Sequence, residues 1–459
     1  MRVLIVGGGQ VGTLIAQRLV RERNEVSIVE QDHARCAALA AQLDARVVEG
    51  NGAQVRVLRN AGLADAELLI AVTDSDQINV LACMVAQVES KVRIKVARIR
   101  THEVEEWRAI LDKAGIRVDL VIHPETHIAE RIMRVLDAPG VSDIVDFAEG
   151  RVLLFGMNLE AGNPVAGRTL EDLDRAGPPR DSLIAMVFRG PQVIIPHGAV
   201  ELHEGDHLYV VCTRENFAEV QKFMGLRARG SVERVFLLGG KQLAISCAEM
   251  LERRGVSVKL FETDPARAAR IAEILPNTVV IQGDGTDQRL LEEEHIRGVD
   301  AYLALTGDDE DNIIASLLAR RLGARKVVAL INRMNYLPMA QRLGVNTTVS
   351  PRLTVVDRIL QFVRKGRVLS VTTFREEEAE AIELIASDQS KYVGRKLADM
   401  RLPRGAIVGA IVRENGEVLI PRGNASINGG DRVIFFALEN VVPELETAFL
   451  AESRRRGRP

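Results

Sequence analysis

Short apolar runs alternate with amphipathic segments along the first hundred or so residues of the chain. The runs are apolar at nearly every position, which is typical of strands in a parallel sheet that helices cover on both faces. The pattern therefore predicts a doubly wound α/β fold. The predicted strands span residues 3–6, 26–30, 68–72 and 94–97, and the predicted helices span 10–22, 34–43 and 76–88.

The same pattern returns in the second half of the chain. RVLIVGGGQVG matches RVFLLGGKQLA, EVSIVEQD matches SVKLFETD, and VVEGNGA matches VIQGDGT. A fourth block, LLIAVTDSDQINVLACMVAQ, matches AYLALTGDDEDNIIASLLAR. Because the blocks keep their order and nearly constant spacing, they indicate a duplicated domain.

A different module follows each copy. PVAGRTL matches KYVGRKL, and VIIPHGAVELHEGDHLYVV matches VLIPRGNASINGGDRVIFF. Short strands and turn signals predict a small α+β module in each case. We name the four predicted domains N1, C1, N2 and C2, in chain order. They span 1–140, 141–225, 231–365 and 366–452, with a linker at 225–231 and a basic tail at 453–459.

Composition narrows the function classes. Hydrophobic residues are 47% and charged residues 27%, which is typical of globular protein. A net charge of −3 and 4% aromatic residues argue against a nucleic-acid surface. The longest uncharged run, 3–17, is rich in glycine and shorter than the ~20 residues that cross a bilayer, so we expect neither a signal helix nor a membrane span. The scattered cysteines favour a reducing cytoplasm without structural zinc.

A glycine-rich turn in N1 predicts nucleotide binding. Gly7-x-Gly9-x-x-Gly12 follows a predicted strand and opens a predicted helix, and Glu30 ends the second strand. Gly7 permits the tight turn, Gly9 lets a pyrophosphate approach the backbone, and Gly12 packs helix against strand. The helix N-terminus supplies N–H donors. Because Glu30 can accept from both ribose hydroxyls and repels a 2′-phosphate, NAD(H) or an adenine nucleotide is favoured over NADP.

Other polar residues of N1 follow the next predicted strands, at the sheet edge where such folds bind ligands. They are Asn51 with Gly52, Thr73 with Asp74, and Arg98. Arg98 could neutralise phosphate charge, and a solvated surface arginine is the alternative.

The second copy departs from this motif. Lys241 replaces Gly9 and Ala244 replaces Gly12. Lys241 either swings out and pairs with a phosphate or marks a site that no longer binds. Ile331 is expected at the position of Arg98. The retained or matching residues are Gly239, Gly240, Glu262, Asp284 and Thr306.

Catalytic motifs are not evident. A dehydrogenase would need a proton relay beside the nicotinamide, and neither a nucleophile motif nor a kinase signature is found. His123, His127 and Glu130 could build a metal site, but the start of a helix at Pro124 explains them better. The acidic run 308–311 is interpreted as a helix N-terminus. The sequence therefore predicts a protein that is not an enzyme.

These motifs resemble a known family. VLIVGGGQVG, VEQD, GNGA, AVTDSDQIN and HPE, followed by GRTL, IPHG and EGDHLYVV, are similar to RCK (KTN) domains. The N–C–N–C order over residues 1–450 resembles the tandem-RCK regulatory proteins of Trk potassium uptake systems. The resemblance implies Rossmann-like N domains that bind NAD(H) or, at the same sites, ATP/ADP, each followed by a small RCK C-terminal domain that assembles and transmits.

The resemblance also implies site residues and partners. The helix that begins at HPE, 123–125, would cross to a neighbouring N domain, and SPR, 350–352, keeps this crossover in the second copy. The partners would be a potassium-translocating membrane subunit (TrkH/TrkG type) and further copies of the chain, as a homodimer or larger ring. The first site would comprise Gly7, Gly8, Gly9, Gln10, Val11, Glu30, Thr73, Asp74 and Arg98, and the second Gly239, Gly240, Lys241, Gln242, Leu243 and Glu262.

The resulting hypothesis is a cytoplasmic regulatory subunit, peripheral on the inner face of the cell membrane, in which nucleotide binding rearranges a ring and so gates potassium transport. Two alternatives stay open. One is an NAD-dependent oxidoreductase. The other is a regulatory subunit of another cation transporter, with C domains that sense a small ligand.

Overall fold

A computed structural model describes residues 1–100, 104–138, 140–179, 181–190, 192–226, 232–345, 347–363, 368–374 and 379–450. The basic tail, most of the linker and His102 lie outside these residues. The chain forms two compact units. The first comprises Met1–Ile128 and Ser350–Val363, and the second comprises Ala129–Val349 and Arg364–Pro459.

The first unit is built on a parallel six-stranded sheet of order β3-β2-β1-β4-β5-β6. Its strands are β1 Arg2–Val6, β2 Glu25–Glu30, β3 Arg46–Glu49, β4 Leu68–Ala71, β5 Ile94–Arg98 and β6 Leu120–Ile122. The helices of this unit are α1 Gln10–Arg21, α2 His33–Gln42, α3 Val55–Asn60, α4 Asp76–Glu89 and α5 Val104–Lys113, and α6 Pro124–Leu136 begins in it and continues into the second unit. The predicted doubly wound fold is confirmed, and the predicted elements agree with these to within a residue at each end.

Alternate side chains of β1 belong to two hydrophobic cores, one on each face of this sheet. Val3 and Ile5 pack with Ile15 and Leu19 of α1 on one face. Their neighbours in sequence pack on the other face, against α3 and α4. A strand buried on both faces needs apolar residues at every position, which explains the uninterrupted runs in the sequence.

A helix from the second copy completes the first of these cores. This is α14, Pro351–Val363, which begins at the SPR motif. Its buried Val355, Ile359 and Leu360 join the cluster that contains Ile15 of α1. The crossover implied for the second copy therefore occurs within one chain.

The second unit contains the repeated parallel sheet, of order β14-β13-β12-β15-β16-β17, which matches the order in the first copy. The strands are β12 Arg234–Leu238, β13 Ser257–Glu262, β14 Thr278–Gln282, β15 Ala301–Ala304, β16 Lys326–Leu330 and β17 Thr347–Val349. The helices are α9 Gln242–Glu252, α10 Pro265–Ile274, α11 Gln288–Glu293, α12 Asp309–Leu322 and α13 Leu337–Leu343.

The two small modules of the second unit each contain a five-stranded antiparallel sheet. The strand orders, both starting from the first strand of the module, are β7-β8-β11-β9-β10 and β18-β19-β22-β20-β21, so the two sheets have the same topology. The first contains β7 Asp143–Phe147, β8 Val152–Asn158, α7 Leu170–Arg175, β9 Ser182–Arg189, β10 Gln192–Ile194, β11 His207–Thr213 and α8 Phe217–Phe223. The second contains β18 Val368–Phe374, β19 Ala379–Ile385, β20 Ala406–Val412, β21 Val418–Leu419, β22 Arg432–Leu438 and α15 Val442–Leu450. The predicted small α+β modules are confirmed.

The two small modules share one apolar core. The rings of Tyr209 and Phe374 lie 4.5 Å apart between their centroids, in a cluster that also contains Phe147 and Phe436. Arg432 Nη1 bonds Glu149 Oε1 at 3.0 Å beside this core. The duplicated modules therefore pack against each other as a pair within the second unit.

Each small module also contains a buried arginine–aspartate pair. Asp206 is 1% exposed and accepts from Arg189 Nε at 2.8 Å and from Arg189 Nη2 at 2.7 Å. In the second module Arg413 donates through Nη1 to Oδ2 of Asp431, which is 2% exposed. Each aspartate directly precedes a strand, β11 or β22, and each arginine lies at or just after the end of the neighbouring strand, β9 or β20, so each pair joins two strands of its sheet.

Candidate functional site

The glycine turn of N1 has the backbone that its sequence predicts. Gly7 has a φ of 107°, and a Cβ there would lie 2.9 Å from the backbone N of Thr73. A Cβ on Gly12 would collide with the carbonyl oxygen of Gly7, so helix α1 lies directly against the turn. At Gly9 a Cβ would meet no described atom within 4 Å. Open space therefore lies above the first turn of α1.

Glu30 ties the turn to the end of β2. Its side chain is 5% exposed, and Gly8 N–H donates to Oε2 at 2.8 Å. The N–H groups of Gln31 and Asp32 donate to Oε1, both at 2.9 Å. A fourth donor, Arg35 Nη1, lies 3.4 Å from Oε2, so donors of the protein hold both oxygens of the anion in place. Glu30 thus supports the loop, in addition to the ribose role expected from the sequence.

A fully buried asparagine fixes the end of β4. Asn79 Oδ1 accepts from the N–H and the hydroxyl of Thr73, at 2.8 Å and 2.7 Å. Its Nδ2 donates to the carbonyl oxygens of Thr73 at 3.1 Å and Arg98 at 2.8 Å. The sequence-based site omitted Asn79, although its identity with Asn312 in the repeat alignment was a signal that could have found it.

Two arginines meet at Asp74. Arg98 Nη2 and Arg100 Nη2 each lie 2.7 Å from Asp74 Oδ1. Burial alone would raise the pKa of Asp74, but the guanidiniums of Arg100 and Arg98 outweigh it and hold that pKa below its usual range. The sequence pointed to Arg98 and missed Arg100, two residues further on. Together they form a cationic edge beside the glycine turn.

Arg98 is buried, and the solvated-surface alternative for it is therefore wrong. Its side chain is 6% exposed, and Nη2 also donates to Thr73 O at 3.1 Å. Among the described residues, its buried Nε has no hydrogen-bond partner. A buried donor without an acceptor is costly, and the Nε–H of Arg98 is one such donor.

Asn51 closes a turn after β3. Ala53 N–H donates to its Oδ1 at 2.8 Å. A Cβ on the neighbouring Gly52 would collide with Val6, so glycine is required there by packing. In the second copy Asp284 accepts in the same way from Thr286 N–H, at 2.8 Å.

The second copy keeps most of this framework. Gly239 has a φ of 102°, and Glu262 is 4% exposed and accepts from Asp264 N–H at 2.8 Å. Asn312 Oδ1 accepts from Thr306 N–H at 2.9 Å and from its hydroxyl at 2.8 Å.

One sequence alignment was wrong. Asn312 Nδ2 donates to Leu330 O at 2.9 Å, as Asn79 does to Arg98 O, so Leu330 and not Ile331 stands at the position of Arg98. The reason is that the connection between α12 and β16 is one residue shorter than the one between α4 and β5. The second copy has no arginine at this position.

The other candidates have local structural roles. His123 bonds the hydroxyl of Thr126 at 2.8 Å just before α6. Asp308 caps α12 by accepting from Asp311 N–H at 3.0 Å, which confirms the helix-terminus interpretation of the acidic run. Within the described ranges, no group of three or more histidine, cysteine or acidic residues is arranged to hold a metal ion. Among the same residues, no helix is long and apolar enough to span a membrane.

Comparison with known families accounts for most of the chain. The TrkA-N domain model matches residues 3–124 and 235–351, and the TrkA-C domain model matches 154–225 and 382–450. The chain belongs to the TrkA family. The resemblance inferred from the motifs is therefore confirmed, as is the N–C–N–C order. The bounds predicted for the four domains stay a prediction.

Named TrkA proteins match along their whole length. A Trk system potassium uptake protein TrkA from Haemophilus influenzae is 37% identical over 98% of both chains. The one from Halomonas elongata is 36% identical over 96% of both. A solved structure described as a GsuK channel bound to NAD has a TM-score of 0.58 at 20% identity, and the alignment covers 98% of this chain and 79% of that one. This structural likeness shows a shared fold.

Proposed function

We propose that this TrkA-family protein is a nucleotide-binding regulatory subunit of a Trk-type potassium uptake system and that it catalyses no reaction. The observation that carries the proposal is the presence in one Rossmann-like domain of a glycine turn bonded to buried Glu30 and of the edge formed by Arg98, Asp74 and Arg100. Relatives that match the full length are named potassium uptake proteins. The sequence has a nucleotide-binding motif but no evident proton relay or nucleophile motif, so we favour nucleotide binding over hydride transfer as the function.

The proposed ligand of the first site is NAD(H), with ATP or ADP as the alternative. Glu30 would take the ribose, the N–H groups at the start of α1 would face the pyrophosphate, and Arg98 would pair with its charge. A structural neighbour is described as bound to NAD, which is consistent with this choice. The residues we propose for this site are Gly7, Gly8, Gly9, Gln10, Val11, Gly12, Glu30, Asn51, Thr73, Asp74 and Arg98.

The proposed partners are further copies of the chain and a potassium-translocating membrane subunit of the TrkH/TrkG type, at the cytoplasmic face of the membrane. Exposed apolar residues recur at matching positions of the two N copies. Leu81 and Ile314 each lie two residues after the buried asparagine of their copy, Asn79 or Asn312, and they are 43% and 58% exposed. Ile110 and Met339 lie equally far before Gly115 and Gly344 and are 56% and 43% exposed. Repetition of an unburied apolar pair favours self-association through these helices.

The proposed mechanism is a population shift. A nucleotide that binds two states of the assembly with different affinities moves the equilibrium between them, and the membrane subunit responds to the favoured state. Moving an assembly from 1:99 to 99:1 takes about 5.5 kcal/mol of differential binding. Shared over four sites this is about 1.4 kcal/mol each, which a change in one charged hydrogen bond can supply.

A nucleotide titration tests the first site directly. We expect Glu30→Gln to weaken calorimetric binding of NADH by about tenfold or more, because an amide keeps the shape but loses the charged acceptor. Glu262→Gln, the matched change in the second copy, should leave the first-site affinity for NADH unchanged. An unaltered isotherm for Glu30→Gln would remove the assigned ribose contact. Disappearance of NADH absorbance in the presence of candidate substrates would instead support the oxidoreductase alternative.

The apolar pair gives a separate expectation for assembly. Ile110→Glu combined with Leu81→Glu should lower the oligomeric mass measured by light scattering, because burying two carboxylates in an apolar contact is strongly unfavourable. Ile274→Glu is the control, since Ile274 is 53% exposed on α10 and lies outside the repeated pair. Equal masses for wild type and the double variant would exclude this surface from self-association.

A further inference from the structure

The carboxylate of Asp74 is bonded to the two arginines of the first site. Its Oδ1 accepts from Arg98 Nη2 and from Arg100 Nη2, both at 2.7 Å, and these are the hydrogen bonds of its side chain among the described residues. The Asp74 side chain is 88% exposed, whereas that of Arg98 is 6% exposed. The carboxylate therefore lies on the solvent side of a buried guanidinium.

The turn that carries Asp74 is fixed by other groups. The hydroxyl of Thr73 donates to Ser75 O at 3.1 Å and accepts from Ser75 N–H at 3.3 Å, and Ser75 Oγ accepts from Ile78 N–H at 3.3 Å. In the second copy the matching turn keeps equivalent bonds with Gly307 in the place of Asp74. The fold of this turn therefore does not need the carboxylate.

Asp74 instead balances the charge of a buried cation. Burial and the charge of Arg100 lower the pKa of Arg98, whereas Asp74 and, less strongly, Asp76 oppose this shift. A buried charge without an opposite charge nearby is costly, so the guanidinium needs a counterion whenever no ligand supplies one. In the second copy Leu330 stands at the position of Arg98, and no charge has to be balanced there.

A phosphate at this edge would compete with Asp74 for the same guanidinium. The Nη2 atom of Arg98 that bonds Asp74 also donates to Thr73 O at 3.1 Å, so this nitrogen stays anchored when the carboxylate leaves. An exposed carboxylate is held weakly, because solvent screens its charge. A phosphate offers more acceptor oxygens in a geometry that suits a guanidinium, and it repels a carboxylate beside it.

We propose that Asp74 is an exchangeable counterion, which pairs with Arg98 in the nucleotide-free protein and is displaced by a phosphate of the bound nucleotide. The proposal rests on the proposed function, since it concerns the same site. Asp74 is then an autoinhibitory residue, because a nucleotide must break its ion pair in order to bind. Its displacement also releases Arg100, whose side chain is 46% exposed, from their shared bond. The exchange is thus a local change that nucleotide binding imposes on this edge.

Calorimetry and thermal unfolding of the full chain test the exchange. The probe is whichever of NADH and ADP the wild type binds more tightly. We expect Asp74→Asn and Asp74→Ala each to raise its affinity about fivefold, because the ligand no longer has to break an ion pair that is exposed on one side. Without nucleotide, both variants should unfold at a lower temperature than wild type, since Arg98 has lost its counterion. With saturating nucleotide this difference should disappear, because the phosphate takes the place of the carboxylate.

Asp44→Asn is the matched control for the loss of one negative charge. Asp44 is exposed and lies between α2 and β3, before the start of β3 and therefore away from the carboxyl ends of the strands. Its replacement should change neither the affinity for the probe nor the unfolding temperature of the nucleotide-free protein.

The possible outcomes separate this proposal from the proposed function. An affinity that is unchanged or lower in both Asp74 variants would overturn the exchange and leave nucleotide binding standing. A higher affinity without a lower unfolding temperature of the nucleotide-free variants would also overturn it, since charge repulsion would then explain the gain. An equal gain for Asp44→Asn would do the same. A wild type that binds neither NADH nor ADP would reject the proposed function together with the exchange.

Discussion

Arg98→Ala is expected to weaken NADH binding at the first site about 100-fold, which corresponds to about 2.7 kcal/mol. The guanidinium is 6% exposed and is held in place by Thr73 O and Asp74 Oδ1. Because these bonds already order the guanidinium, a ligand phosphate that pairs with it gains a charged bond at little ordering cost. Charged hydrogen bonds contribute about 1.5–3 kcal/mol each, and loss of the guanidinium also leaves Asp74 facing the phosphate.

Calorimetric titration with NADH measures the effect of Arg98→Ala. Arg46→Ala is the matched control, because Arg46 is exposed and begins β3 at the opposite edge of the sheet. Arg100→Ala should have an intermediate effect, since Arg100 is 46% exposed in its side chain and reaches the site through Asp74. Equal affinities for Arg98→Ala and Arg46→Ala would show that the cationic edge does not contact the ligand.

Asp206→Asn is expected to destabilise the first small module by about 3 kcal/mol. Asp206 is 1% exposed and accepts two bonds from Arg189 and one from His203 N–H at 2.8 Å. Removing one partner of a buried pair costs about 3–5 kcal/mol, and the 33% exposure of the Arg189 side chain places this pair at the lower end. Urea unfolding followed by circular dichroism measures the loss.

The stability that the Arg189–Asp206 pair supplies is expected to decrease in acid. Burial alone would raise the pKa of Asp206, but the bonds from Arg189 and His203 outweigh it and hold that pKa below its usual range. The stability that the pair supplies is therefore present above the ordinary aspartate pKa of ~3.9 and is lost as pH falls through the lower folded value. Asp206→Asn should not show this loss.

Asp174→Asn is the control for the stability measurement. Asp174 pairs with Arg422 at 3.3 Å, and the two side chains are 63% and 70% exposed. Exposed pairs contribute about 0–1 kcal/mol, so this variant should unfold nearly as wild type does. Similar unfolding curves for Asp206→Asn and Asp174→Asn would contradict the stabilising role of the buried pair.

Much of the fold could be predicted because local patterns determine it. Uninterrupted apolar runs report strands buried on both faces, and the positive φ of Gly7 and Gly239 explains the glycine at each turn. The packing of α14 against the first copy could not be predicted from the local sequence pattern. Its apolar residues predict a buried helix, but nothing local says that the partner is α1 of the other copy.

Site candidates can be proposed from the sequence where one residue type has one evident use, and not where the use is long-range. Glu30 and Thr73 could be proposed because they end or closely follow strands. Asn79 was missed because it acts on the backbone of another strand, through the Arg98 carbonyl. The error at Ile331 came from a single-residue difference in loop length, which alignment of short blocks does not resolve. No local pattern indicates the burial of Asp206, because its partner Arg189 lies on a different strand.

The central claim is that nucleotide bound at the Arg98 edge regulates potassium transport. Its most direct test is potassium flux into vesicles that contain a purified Trk-type membrane subunit, with this protein added and NADH, NAD, ATP or ADP present or absent. We expect at least one nucleotide to change the flux with the wild-type protein, and we expect the Arg98→Ala protein to respond much less than the Arg46→Ala protein. A flux that is the same with and without the protein, or a nucleotide response that Arg98→Ala retains in full, would contradict it.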